Sequence, residues 1–257
     1  MKFINVFCIV AVSTIAALGY SSSAQAISFK ITSGVPGLNG ETNQGAFSEF
    51  SKLKETTTID FNSGSVPTTG FAKYSFENNT GASSVRSDQW APAGSTGEKN
   101  GSKYLAVFNG DAATIKLDKT LNYFGIDWGA VSENNTFSFY QSVKDGKDAL
   151  VKSFTSTDLI NNKALFNASW QGGQGNGYVH FYSDSIADNF DKIVISQSST
   201  VGGGFESDNH SFHQGTGKFN FDDNLKAKSV PEPGIVLGLL ATGGMFLRKR
   251  SQKLSQE

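Results

Sequence analysis

The sequence predicts an all-β fold, a two-sheet antiparallel sandwich with jelly-roll-like strand order, set between an apolar N-terminal leader and a short apolar C-terminal segment. Three observations predict it. Apolar residues recur with a period of two at Phe124, Ile126 and Trp128, at Phe137 and Phe139, and at Phe219 and Phe221, which puts each set on one face of a strand. Turn sequences such as Asn109-Gly110-Asp111 and Asp145-Gly146 separate these runs, and the chain holds 28 glycines to serve such turns. Helical periodicity is absent apart from a turn or two near Thr157 to Asn162.

The elements follow in chain order. Met1-Lys2 opens a short basic region, Phe3 to Leu18 is largely apolar, and Ala24-Gln25-Ala26 offers the small residues that signal peptidase cleaves after, so residues 1–26 are expected to be a signal peptide and the mature chain to start at Ile27. Cys8, the single cysteine, lies in that leader and leaves residues 27–229 without a thiol or disulfide. Within 27–229, enough chain for one domain, strands are expected at Thr57 to Phe61, Tyr104 to Phe108, Thr114 to Leu117, Phe124 to Trp128, Phe137 to Phe139, Ala149 to Phe154, Tyr178 to Tyr182, Lys192 to Ile195 and Phe219 to Phe221. Trp128, alternating with Phe124 and Ile126, belongs to the core.

Residues 230–257 read as an address. Pro231-Glu232-Pro233 precedes an apolar run from Gly234 to Leu247, and Arg248-Lys249-Arg250 closes it. As a helix the run rises only about 21 Å against a hydrocarbon core of about 30 Å, a marginal and transient inner-membrane span whose basic end stays cytoplasmic. These three parts in this order resemble the PEP-CTERM sorting signal. The resemblance implies processing by an exosortase-type transpeptidase and delivery to the cell surface or extracellular matrix. Tyr123 to Gly129, Asn134 to Tyr140 and Gly204 to Asn209 also resemble strands of PEP-CTERM surface proteins, departing from their pattern at Glu133 and Asn134; this likeness implies a fold and no activity.

Charge excludes one class of partner. With 22 Lys plus Arg against 23 Asp plus Glu and a formal charge of −1, and with Arg86 the only arginine before the tail, the chain lacks the basic footprint of a nucleic-acid binder. Oxygen ligands for a structural calcium are offered by Asp60, Asp222, Asp223 and Asn224, expected at strand ends, and by a second cluster of Glu206, Asp208 and Asn209. His210 and His213 lie in a strand-and-loop stretch and are expected at the surface or in turns. Asp127 with Glu133, or Glu206 with Asp208, are the carboxylates that a glycosidase pair would draw on, yet no nucleophile, metalloprotease, Walker or Rossmann motif accompanies them, and the chain is expected not to be an enzyme. Trp90 and Trp170 lie in Gly-, Asn- and Gln-rich loop sequence, where an indole face can stack on a sugar ring.

Two functions fit these features. One is an exported, non-enzymatic surface or matrix protein with a structural or adhesive role in exopolysaccharide or biofilm. The other is a carbohydrate-binding module that recognises a glycan through exposed tryptophans. No cofactor beyond calcium is expected.

Overall fold

The computed structural model describes residues 27–37, 39–78, 83–108, 110–161, 167–168, 175–198 and 203–229. The signal-cleavage residues Ala24 and Ala26, the sorting motif Pro231-Glu232-Pro233, the apolar run after it, Arg248-Lys249-Arg250 and Trp170 lie outside the described residues. Among the described residues no helix is long and apolar enough to cross a membrane.

The chain forms β1 (Ile27–Thr32), β2 (Thr56–Ile59), β3 (Ala72–Phe76), β4 (Ser84–Arg86), β5 (Tyr104–Phe108), β6 (Ala112–Gly129), β7 (Asn135–Ser142), β8 (Asp148–Thr155), helix α1 (Ser156–Ile160), β9 (Asn167–Ala168), β10 (Gly175–Ser183), β11 (Phe190–Gln197), β12 (Gly204–Gln214) and helix α2 (Phe221–Ser229). Every ladder is antiparallel. The 18-residue β6 organises them. Its first part, Ala112 to Leu117, runs between β3 and β11, and β11 continues through β7 to β8. Its last part, Leu121 to Gly129, runs between β12 and β10, with β1 beyond β10 and with β5 and β2 along successive stretches of β12. Two layers therefore share one strand.

The sharing explains why the sequence shows two strands here. Opposite β11, the register jumps from Leu121↔Phe190 to Lys116↔Lys192, a bulge that accommodates the polar Asp118-Lys119-Thr120. Leu121 keeps the inward parity of Ala113 and Ile115 across these residues; the parity changes between Leu121 and Phe124, where the register with β12 shifts between His213 and Gln214.

The two inner faces meet through aromatic rings. Phe137 packs on Phe181 and Phe205 at centroid distances of 4.7 and 4.9 Å, Phe139 on Phe181 at 4.9 Å, and Trp128 stacks on Phe205 at 5.5 Å. Each ring removed from water contributes about 1.5–3 kcal/mol, so with no disulfide this layer supplies the cohesion. Trp128 is fully buried, as its alternation requires.

The layer of β1, β10, β6, β12 and β5 is buried on its outer face as well. Coil covers it: Ala46 donates its backbone N–H to Asp127, Ser48 and Tyr123 hydroxyls lie 2.7 Å apart, and Phe50 packs edge-on against Tyr123, His180, Phe219 and Phe221. Here the period-two reading of Phe219 and Phe221 fails. Phe219 is coil stacked on Tyr123 at 4.7 Å, and Phe221 opens α2, so both rings reach one apolar patch without a strand. The expected strand at Thr57 to Phe61 ends at Ile59, because Phe61 turns at φ 54° to drive its ring edge-on against Tyr74 and His210. The expected helical turn near Thr157 is α1, closed by a capping box between Thr155 and Asp158.

Candidate functional site

One end of the sandwich carries a cleft of about 400 Å³ lined by Arg86, Trp90, Phe108, Ala130, Ser132, Gly203, Gly204 and Glu206. It lies where β6 exits at Gly129, β12 enters at Gly204, and β4 and β5 present Arg86 and Phe108.

Trp90 forms the rim and is 38% exposed. Its position follows from Asp88, whose Oδ1 accepts both the Trp90 backbone N–H at 2.9 Å and the Tyr104 hydroxyl at 2.6 Å. That Asx turn ties the Trp90 backbone to β5 through the Asp88 side chain, which sets the indole at the rim. The Arg86 guanidinium lies 4.4 Å from the Phe108 ring centroid, a cation–π contact that orients it along the wall. Ser132 donates its hydroxyl to the Gly204 carbonyl at 2.7 Å, and Ala130 takes φ 46° as the chain leaves β6.

Glu206 is the buried polar group of the cleft. Burial above all, reinforced by the negative charge of Asp88 and opposed by Arg86, pushes its carboxyl up to about 8. At neutral pH it is a carboxylic acid that offers one O–H donor and one carbonyl acceptor. Gly204 makes room for it: a Cβ there would stand 2.2 Å from both Glu206 Oε1 and Phe108 Cε1.

The other sequence-expected residues separate. Asp222 and Asp223 occupy the first turn of α2 and not a strand end, and Asp222 pairs with Lys30 at 2.7 Å. Asp60, past the end of β2, is exposed and closes an Asx turn on Asn62. Glu206 and Asp208 share the outer face of β12, but Glu206 reaches the cleft whereas Asp208 is sealed by Asn100 and Ser102. Among the described residues no three His, Cys, Asp or Glu side chains come together to hold a metal. The histidines are structural and, against expectation, two are fully buried. His180 contacts Tyr123, Thr32 and Glu49 at 2.8, 3.0 and 3.2 Å; His210 bridges Tyr74 and Ser207, each at 2.9 Å. Glu133 is exposed while Asp127 is fully buried, which removes that pair as a catalytic couple.

Arg86, Phe108 and Ser132 carry no local signal as site residues, because tertiary pairing alone brings them to Trp90. The raised carboxyl of Glu206 follows from burial, which one strand's sequence does not disclose.

No family model matches the chain, and no curated protein matches it. Among solved structures, the K2 cleaved adhesin domain of Lys-gingipain is similar over 62% of this chain and 99% of its own, at 10% identity and a TM-score of 0.40. The family 32 carbohydrate-binding module of C. perfringens NanJ, solved with galactose, covers 61% of this chain and 98% of its own at 15% identity and a TM-score of 0.31. The family 11 module from Clostridium thermocellum, solved with a mixed-linked tetrasaccharide, covers 74% and 98% at 13% identity and a TM-score of 0.29. Likeness at this level assigns neither strand order nor ligand to this chain.

Proposed function

We propose that this chain is an exported, non-enzymatic surface or matrix protein whose jelly-roll-like domain, residues 27–229, binds carbohydrate at the Trp90 cleft and so acts adhesively in exopolysaccharide. The observation that carries the reading is the exposed Trp90 at the rim of a cleft whose buried Glu206 has its carboxyl raised to about 8. Sugar rings present C–H faces that stack on indole and hydroxyls that both donate and accept, and a protonated Glu206 answers both roles. Among the described residues a single carboxyl lines the cleft. Cleavage of a glycosidic bond uses two that flank it, so the arrangement supports binding without hydrolysis. Export rests on the leader ending at Ala26, which signal peptidase would remove, and on the tail resembling a PEP-CTERM signal, whose transient membrane insertion would present Pro231-Glu232-Pro233 to an exosortase-type transpeptidase.

The test is a titration of the purified chain with soluble neutral and acidic polysaccharides by calorimetry. Saturable binding that Trp90→Ala weakens about tenfold, with an unchanged melting temperature, is the expected result. Binding unaffected by Trp90→Ala, or no saturable ligand in the series, overturns the cleft as a glycan site and leaves a purely structural matrix role.

A further inference from the structure

The Trp90 cleft carries charge as well as an indole. Among the described residues its lining holds one cation, Arg86, and one carboxyl, Glu206. Arg86 ends β4, and its pairing with Tyr104 sets it beside β5. The Phe108 ring, 4.4 Å from the guanidinium carbon, keeps the cation at the wall. A ring face binds the charge and consumes no N–H; a guanidinium has five such donors, and two of them match the two oxygens of a carboxylate.

Donors predominate over acceptors in this lining. Arg86 donates only, and so does the indole N–H of Trp90. The Ser132 hydroxyl hydrogen is already spent on the Gly204 carbonyl. Neutral sugar hydroxyls need acceptors and donors together, whereas an anion needs donors and positive charge.

Glu206 would oppose an anion if it were ionised. Three groups act with it: Arg86 from β4, Asp88 from the turn that follows, and the Tyr104 hydroxyl from β5; opposite it on β6 stands Gly129, which has no side chain. Burial outweighs the opposing pulls of Asp88 and Arg86 and leaves the proton on the carboxyl at neutral pH. Tyr104, itself raised by burial and by Asp88, stays neutral and adds no charge. Asp88 does not line the cleft, and its Oδ1 is engaged by the Trp90 N–H and the Tyr104 hydroxyl. Near neutral pH the lining therefore presents a guanidinium and a carboxylic O–H, and its net charge is positive.

On the glycan reading of this cleft, we propose that its ligand is an acidic glycan, with the ring of a uronic acid on Trp90 and its carboxylate in the fork of Arg86. Protonated Glu206 adds a charge-assisted donor to the same anion. Once ionised, it sets a buried carboxylate against the ligand's own and repels it.

The test is calorimetry of the purified chain with oligomers of galacturonate, of mannuronate and guluronate, and of glucuronate alternating with N-acetylglucosamine. Each is paired with its carboxyl-reduced counterpart, which keeps the ring and loses the charge. At pH 6.5 at least one acid should bind about tenfold more tightly than its reduced form, and Arg86→Gln should bring the two together. On the unmodified chain, affinity for the acid should fall about tenfold by pH 9 while that for the reduced form holds, because Glu206 loses its proton at about 8. That slope needs no substitution, so it decides even if Arg86→Gln folds poorly; Glu206→Gln should flatten it. Trp90-dependent binding without preference for the acid, a preference that Arg86→Gln leaves whole, or a flat pH profile each overturns the acidic class and leaves the glycan cleft standing. No saturable binding of any oligomer, acid or reduced, overturns the cleft as a glycan site as well.

Discussion

At the scale of single residues, the proposed glycan cleft rests on Trp90 and Glu206. Trp90 is held by its neighbour Asp88 and contributes little to the core, so Trp90→Ala should lower ligand affinity and leave thermal unfolding within about 0.5 kcal/mol of the parent. Glu206 has a folded-state value of about 8, raised from 4.5 chiefly by burial. A raised acid stabilises the fold fully below its unfolded value and loses that contribution as pH climbs to the folded one. Melting temperature should therefore fall between about pH 4.5 and pH 8 in a component that Glu206→Gln removes; an equal slope in the variant would refute the assignment. Of this pair only Trp90 was legible in sequence, because its loop composition advertised an exposed ring. Glu206 was legible as an acid, but its protonated state depends on Phe108, Gly204 and Arg86, which reach it through β5 and β4.

At the scale of elements, β6 shows where sequence patterns carry and where they stop. Phe124, Ile126 and Trp128 alternate in sequence and are buried in space, and truncating Phe124 or Trp128 to Ala should cost about 3–5 kcal/mol by urea unfolding. An equally stable Trp128→Ala chain would contradict the packing on Phe137 and Phe205. The polar Asp118 to Thr120 and the parity change between Leu121 and Phe124 together made one strand read as two. β12 was only partly legible: its outer face carries Glu206 and Asp208 and its inner face His210, polar residues that sequence assigns to solvent and that the covering coil and the core bury. Phe219 and Phe221 satisfied a strand period while belonging to coil and helix, because the patch around Phe50 accepts rings from any backbone.

At the scale of the whole molecule, titration behaviour follows from which groups are buried. Asp127, Asp208 and Glu206 are all raised, and their stabilising contribution is present at low pH and lost as pH rises. His210 is lowered to about 3 by burial, so its contribution is present above about pH 6.5 and lost as pH falls. Between pH 8 and pH 6.5 Glu206 should dominate, and the chain should become more stable on mild acidification, read as a rising melting temperature. The tail adds a separate test: Glu232→Ala should leave a longer protein in the inner membrane, and normal-mass protein at the surface would refute the sorting reading.

The two poles of the sandwich differ in what they hold. Ile27 pairs with Ser183, the Phe219 N–H donates to the Ser183 carbonyl, and α2 begins beside β1 through Lys30 and Asp222, all near the Tyr123 level of β6. The cleft lies past Gly129, about 20 Å along the same strand. On the proposed reading, a ligand held in the cleft and an anchor beyond α2 would load β12 along its length. That load runs parallel to the strand, so the ladders of β12 with β6, β5 and β2 resist in shear, many hydrogen bonds yielding together and not one by one. Pulling on tail and ligand should meet a stiff, brittle domain, and the force at which it fails should drop when Asp208→Asn loosens the strand's middle.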